Sequence, residues 1–129
     1  MFGTRIVSFL GMGILAFGMA ACGSSSTSDT GGGSANVTCT ASDKTVCVEA
    51  DPTNVGKFNP ATSNVKVGDT VTWTIMDDAN PHTVTFDDSS LDSGSQNKGY
   101  TTTKTFSAAG TFTYKCSLHA AMVGKVVVT

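Results

Sequence analysis

The sequence predicts an all-β domain, a Greek-key β-sandwich or barrel of about eight strands, over residues 37–129. From residue 37 onward, apolar and polar residues alternate with a period of two, as in strands that have one buried face. Clusters of Gly, Asp, Asn and Ser interrupt this alternation at short intervals. No stretch of useful length has a helical period, and about 93 residues are enough for one hydrophobic core.

The predicted strands are short and are separated by turn residues. The first two, at 37–40 and 45–48, flank the sequence ASDK at 41–44, which favours a turn, so they are expected to form a hairpin. The others show the same alternation and lie at residues 64–67, 70–75, 82–86, 101–106, 111–116 and 123–129. The polar stretch 89–99 is the longest irregular connection, which indicates a crossover or a short helix.

The N-terminal segments lie outside this domain. Residues 1–21 combine a positive charge at Arg5 with sixteen mostly apolar residues, fewer than the roughly 20 of a membrane span, which is the layout of a secretory signal peptide. The sequence MAAC at residues 19–22 resembles the lipobox of bacterial lipoproteins, in which cleavage precedes a diacylated cysteine. This predicts lipid anchoring at Cys22; the alternative is a general signal peptide with an incidental cysteine.

Residues 22–36 are expected to form a flexible Gly/Ser-rich tether. After the cysteine they contain no aromatic residue and no aliphatic residue larger than Ala, so they cannot bury enough apolar area to offset the entropy of ordering. Behind a lipidated cysteine, such a tether would hold the domain off the periplasmic side of a bacterial membrane or off the cell surface.

Composition excludes several functions. The full chain has a net charge of −2, and without Arg5 seven Lys face ten acidic residues, a net charge of −3, so there is no basic footprint for nucleic acid. His82 and His119 are the two histidines of the chain, which excludes mechanisms that need three. No residue pattern indicates a nucleophile with its base, so we do not expect an enzyme.

The four cysteines divide into different roles. Cys39 and Cys47 face each other across the predicted hairpin, which in an exported protein favours a disulfide over two free buried thiols. With Cys22 assigned to lipid, Cys116 is left unpaired. An odd cysteine in an oxidising compartment is expected to be paired with another molecule, reactive or metal-bound.

The residues near Cys116 favour a metal. His119 and Met122 follow within seven residues, and His82 begins another predicted strand. Taken singly, each has an ordinary alternative: a solvated histidine, a buried thiol, or a methionine that fills the core. Together, two imidazoles, a thiolate and a weak thioether form the ligand set of copper electron-transfer sites.

The chain also resembles the plastocyanin/azurin family of cupredoxins. The likeness runs from about residue 58 to 129 and includes VGDTVTW at 67–73, NPHTVTFD at 80–87 and FSAAGTFTY at 106–114. The C-x2-H-x2-M spacing that begins at Cys116 is the short ligand loop of amicyanin, although Leu118 stands where many members have proline.

This resemblance implies a cupredoxin-like fold and one type 1 copper ion. By it, His82, Cys116 and His119 are the equatorial ligands and Met122 is the axial ligand. The backbone N–H of Thr83 and the side chain of Asn80 are candidate donors to the Cys116 sulfur.

The function that follows is a membrane-tethered shuttle of single electrons between a donor and an acceptor redox protein, such as a cytochrome, with the chain as a monomer. The Asp pairs at 77–78 and 87–88 are either an acidic docking surface or turn residues. Two alternatives remain: a copper-binding lipoprotein for delivery or homeostasis, and a metal-free, disulfide-stapled sandwich for adhesion.

Overall fold

A computed structural model describes residues 36–129. The predicted signal peptide, the Cys22 lipid site and the tether up to residue 35 lie outside the described residues. The described part contains eight strands in two four-stranded sheets and no helix, which confirms the predicted all-β sandwich. No helix in residues 36–129 has the length and apolar character needed to cross a membrane.

The eight strands are each two to seven residues long. In chain order they are β1 (Thr45–Asp51), β2 (Val55–Asn59), β3 (Thr62–Val65), β4 (Thr70–Ile75), β5 (Thr85–Phe86), β6 (Thr101–Thr105), β7 (Gly110–Lys115) and β8 (Val123–Val128). One sheet has the order β2-β1-β4-β6 and the other β3-β8-β7-β5. The β1–β4 and β3–β8 pairs are parallel and the other pairs are antiparallel. Because consecutive strands from β2 to β7 alternate between the two sheets, the chain crosses between them repeatedly, as in Greek-key connections.

The hairpin predicted at the start of the domain is present only at its turn, and its first strand is wrong. Residues 37–40 form no strand, and the turn after them is closed only by an isolated bridge between Ser42 and Thr45. The reason lies in β1, which pairs with β2 on one side and with β4 on the other. Because β2 and β4 occupy both edges of β1 at Cys47 and Val48, the pairing that starts between Ser42 and Thr45 does not continue into residues 37–40, even though their sequence alternates.

The strand predicted at 82–86 is also shorter in the structure. Of these residues only Thr85 and Phe86, which form β5, pair with β7. The His82 N–H donates to Gln96 O, and the Gln96 N–H donates to His82 O, both at 2.9 Å. Val84 likewise donates its N–H to Ser93 Oγ at 2.9 Å. The segment 89–99 is therefore a crossover between the sheets and not a helix, and it supports the backbone on which His82 sits.

The core lies between the two sheets. On β4 the inward residues Val71, Trp73 and Ile75 are fully buried, as the alternation of that strand predicts. Trp73, Phe86 and Tyr114 meet with ring centroids 5.1–5.5 Å apart. These three rings connect the two sheets and give the sandwich a rigid centre, since interiors at this packing density resist rearrangement.

A disulfide joins Cys39 to Cys47 on β1, with a Cα–Cα distance of 5.8 Å. It ties the irregular residues before β1 to the sheet. Changing both cysteines to alanine is expected to lower the free energy of unfolding by about 2.5 kcal/mol, since the eight-residue separation sets the loop-closure entropy removed from the unfolded chain. Denaturant unfolding of the double variant measures this, and the parent protein after reduction should show a similar loss. An unchanged midpoint in both would contradict the stabilising role.

Tyr114 is buried at the centre of the core, and burial raises its pKa to about 12 from the ordinary 10.0. The folded protein therefore keeps this proton at pH values where the unfolded chain has lost it. The resulting stability is fully present below pH 10 and falls as the pH rises from 10 towards 12, by about 2 kcal/mol. Unfolding measured across this range should show the loss in the parent but not in Tyr114→Phe. Parallel pH profiles for the two proteins would refute it.

Candidate metal centre

Three donor side chains converge at one end of the sandwich. His82 precedes β5, Cys116 directly follows β7, and His119 lies in the turn between β7 and β8. The Cys116 Sγ atom lies 3.8 Å from His82 Nδ1 and 3.4 Å from His119 Nδ1. The three donor atoms all lie within 4.8 Å of one another, and no other such group of His, Cys, Asp or Glu occurs among residues 36–129.

The turn after β7 is held by its own backbone. Cys116 donates its N–H to Met122 O at 3.0 Å, and Met122 donates to His119 O at 2.9 Å. His119 in turn donates to Cys116 O at 3.3 Å. This closed turn brings the His119 ring back over the thiol, and it keeps the Met122 side chain buried at 2 % exposure beside the same loop.

The Cys116 sulfur accepts a backbone hydrogen bond. Thr83 N–H donates to Sγ at 3.3 Å, where the sequence placed it, and Thr83 Oγ1 accepts from Ser117 N–H at 2.7 Å. The Asn80 side chain, the other expected donor, instead donates from Nδ2 to Asp77 Oδ2 at 3.4 Å. The Thr83 bonds connect the loops that carry His82 and Cys116, so the two donors are fixed relative to each other.

The His82 ring is fully buried and is held on several sides. Its Nε2 lies 2.8 Å from Asp77 Oδ2, and its centroid lies 4.9 Å from that of His119. Gly56 on β2 packs against it so closely that a Cβ there would lie 2.3 Å from His82 Cε1. Gly56 was not predicted to belong to the site, because β2 was not predicted, although a glycine inside a strand can signal close approach of another group.

Asp77 is a buried member of this site, with 3 % of its surface exposed. Its Oδ1 accepts the Ala79 and Asn80 N–H groups at 2.8 and 3.2 Å. Burial raises the pKa of this carboxyl, but the hydrogen bonds from His82 and from these amides outweigh it, so the pKa lies below the ordinary 3.8. Asp77 is therefore an ionised acceptor for His82.

The two Asp pairs at 77–78 and 87–88 differ in how far they are buried. Asp77 faces inward, whereas Asp78 is exposed and lies 3.3 Å from Lys98. Asp87 pairs with Lys115 at 3.0 Å, and Asp88 bonds the Ser90 hydroxyl in the following turn. Asp77 therefore belongs to the interior, whereas the other three carboxylates are exposed and have nearby lysine or hydroxyl partners.

The outer side of the site is apolar. His119 is partly exposed, its neighbour Leu118 is 50 % exposed, and Val123 at the start of β8 is 61 % exposed. Pro81, Ala120 and Ala121 are also exposed. The His119 side chain is thus the member of the donor cluster that reaches the surface, and small or apolar residues surround it.

The donor chemistry fits copper. A thiol sulfur and two imidazole nitrogens in one small cluster, with a buried thioether on the same loop, correspond to the His2Cys trigonal set with a weak axial methionine. Imidazoles bind Cu(II) well, and sulfur donors favour Cu(I), so this set suits both oxidation states. The residues present therefore match a site that cycles copper.

Comparisons with known proteins agree with this chemistry. Residues 44–129 match the family model described as copper binding proteins, plastocyanin/azurin family. The chain is 42% identical over 77 residues to amicyanin of Paracoccus denitrificans, covering 56% of this chain and 58% of that protein. It is 37% identical over 84 residues to the chloroplastic plastocyanin of Tetradesmus obliquus, covering 55% and 57%. The matches thus span somewhat over half the length of both relatives.

Solved structures show the same likeness. A purple cupredoxin from Nitrosopumilus maritimus superposes with a TM-score of 0.60 and 30% identity, covering 66% of this chain and 98% of that one. An oxidized amicyanin variant superposes with a TM-score of 0.54 and 34% identity, covering 69% of this chain and 86% of that one.

Proposed function

Since this chain belongs to the plastocyanin/azurin family of copper binding proteins, we propose that it is a type 1 copper electron-transfer protein that carries single electrons between redox partners. Its cofactor is one copper ion, as the family and the donor set indicate. The observation that carries the proposal is the convergence of the Cys116 sulfur and one ring nitrogen from each histidine within 4.8 Å of one another.

The proposed ligands are His82, Cys116 and His119 in the equatorial positions and Met122 in the axial position. When bound, copper supplies a reversible one-electron couple between Cu(II) and Cu(I). The burial of His82 and Cys116 excludes water from the inner side, and the closed loop and the Thr83 hydrogen bond hold the donors in place. A site held in this way needs little rearrangement when the charge changes, which favours electron transfer.

No enzymatic role is proposed for this site. Four protein donors would leave no position for a substrate, unlike catalytic metal sites, which keep an open position. The chain's own residues instead bind the ion, shield it from water and provide one edge, the partly exposed His119 ring, through which an electron can leave.

The apolar rim around His119 suits brief contacts with a donor and an acceptor redox protein, for example a cytochrome or a copper or haem oxidoreductase. Leu118 and Val123 offer exposed apolar contact, and the surrounding alanines are small enough for close approach. Small interfaces of this kind are typical of transient redox encounters. We propose that the chain acts there as a monomer.

We further propose that the protein works outside the cytoplasm, anchored through lipid at Cys22 on the periplasmic side of a bacterial membrane or at the cell surface. The sequence of residues 1–36 motivates this, and the Cys39–Cys47 disulfide supports it, because disulfides persist in oxidising compartments. Mass spectrometry of the mature protein would detect a diacylated Cys22, and a free N-terminus at another residue would refute the anchor.

The second candidate function is copper delivery, in which the protein releases its copper ion, whereas an electron shuttle retains it. A shuttle should keep its copper through repeated cycles of reduction and reoxidation in the presence of a Cu(I) chelator. The reason is that four donors would hold the ion, one from the β4–β5 loop and three from the β7–β8 loop. A delivery protein should lose its copper to the chelator in the reduced state. Copper content measured after several cycles therefore decides between the two, with loss in the first cycles contradicting the shuttle.

A further inference from the structure

The carboxylate of Asp77 makes more contacts with the site than an ordinary turn residue would. Its Oδ2 lies 2.8 Å from His82 Nε2, and both side chains have no exposed area. Its Oδ1 accepts the N–H groups of Ala79 and Asn80. Both carboxylate oxygens are therefore committed within the fold, one to the backbone and one to the ring of a proposed copper ligand.

These contacts determine which nitrogen of His82 carries the proton. Because Asp77 Oδ1 accepts two backbone N–H groups and Oδ2 lies 2.8 Å from His82 Nε2, the carboxylate has the geometry of an acceptor and His82 Nε2 is the donor. The other nitrogen, Nδ1, then keeps its lone pair, and it is Nδ1 that lies 3.8 Å from Cys116 Sγ. By holding the proton on Nε2, Asp77 leaves the Nδ1 lone pair of His82 directed at the donor cluster, and the hydrogen bond fixes the orientation of the ring.

We propose that Asp77 is a positioning residue that acts through His82: it selects the ring tautomer that binds copper, and its buried charge favours the oxidised state of the site. The inference rests on the proposed function, because it takes His82 as a ligand. A carboxylate that accepts from a ligand imidazole raises the basicity of that ligand.

The sign of the redox effect follows from charge. Reduction adds one electron from a donor protein and lowers the positive charge of the site by one. A fixed negative charge in a buried site opposes that step, since Coulomb interactions are poorly screened there. Removing the charge of Asp77 should therefore make reduction more favourable.

The tautomer can be tested in the copper-free protein by nitrogen-15 chemical shifts of the His82 ring. The parent should carry the proton on Nε2. In Asp77→Asn the amide oxygen is expected to remain on the Ala79 and Asn80 N–H groups, so the NH2 group faces Nε2 and the proton moves to Nδ1. A parent ring with its proton on Nδ1, or a variant that leaves the tautomer unchanged, would overturn the proposal.

The redox effect can be tested on the copper-loaded protein by spectroelectrochemistry. At a fixed applied potential, Asp77→Asn should raise the ratio of reduced to oxidised protein about tenfold over the parent, which is about 59 mV for one electron. Asp78→Asn is the matched control, because it removes the same charge from the neighbouring exposed residue, and it should change the ratio by less than about twofold. Equal changes in the two variants would overturn the proposal.

Asp77→Glu supplies a rescue that does not depend on the folding of the asparagine variant. It retains an ionised acceptor near His82, so the proton should stay on Nε2 and the redox ratio should lie nearer the parent than that of Asp77→Asn. Failure of the proposed function is a separate outcome: a copper-loaded parent without a thiolate-to-copper absorption band would refute the copper site, whereas the ring shifts of the copper-free protein would still report on Asp77.

Discussion

Copper-loaded Cys116→Ser is expected to lack the intense visible absorption of a thiolate-to-copper charge transfer. A serine hydroxyl stays neutral at physiological pH and cannot replace the thiolate. Loss of this donor should also weaken Cu(II) binding by more than about a hundredfold, since removing a residue that only hydrogen-bonds to a metal ligand already lowers metal affinity by up to about a hundredfold. Absorption spectra and copper titrations measure both effects.

The fold should tolerate this change, because serine is close in size to cysteine and its oxygen can accept the Thr83 N–H that now bonds to Sγ. The double variant Cys39→Ala with Cys47→Ala is the matched control. It removes the disulfide, lowers stability and should keep the absorption band. A Cys116→Ser protein that retained the band and the parent affinity would show that the metal binds elsewhere.

Gly56→Ala is expected to displace the His82 ring. A Cβ at this position would lie 2.3 Å from Cε1, 3.0 Å from Nε2 and 3.1 Å from Nδ1, so either β2 or the ring must move. Overpacking of this kind costs about 1–3 kcal/mol. Movement of the ring also breaks its hydrogen bond to Asp77, so copper affinity should fall about tenfold to a hundredfold.

Gly124→Ala provides a control with a similar steric conflict away from His82. A Cβ there would lie 2.5 Å from the Tyr114 ring, which belongs to the core. Both variants should lose stability on thermal unfolding, but only Gly56→Ala should change the copper spectrum strongly. A Gly56→Ala protein with the parent's spectrum and affinity would contradict the close packing of β2 on His82.

The sequence was sufficient for the parts of the fold that depend on local pattern. The alternation on β4 correctly places Val71, Trp73 and Ile75 in the core, because a strand with one buried face repeats every two residues. Part of the donor set could be predicted for a similar reason, because Cys116 and His119 lie three residues apart on one tight loop. Only His82 had to be brought in by the fold.

The features that the sequence did not reveal depend on tertiary neighbours. Residues 37–40 have a strand-like pattern but do not continue the ladder of β1, since β2 and β4 occupy both edges of β1 at Cys47 and Val48. Asp77 and Asp78 are identical and adjacent in the sequence, yet one is buried against His82 and the other is exposed. No local pattern distinguishes them, because the difference is set by the way the β4–β5 connection, which carries both Asp77 and His82, folds against the core.

The central claim is that His82, Cys116 and His119, with Met122, bind one redox-active copper ion. A visible absorption titration of the copper-free protein with Cu(II) tests it most directly. The account predicts an intense thiolate-to-copper band that grows linearly to one equivalent, vanishes on one-electron reduction and returns on reoxidation. Weak absorption without that band, or saturation at a different stoichiometry, would contradict it.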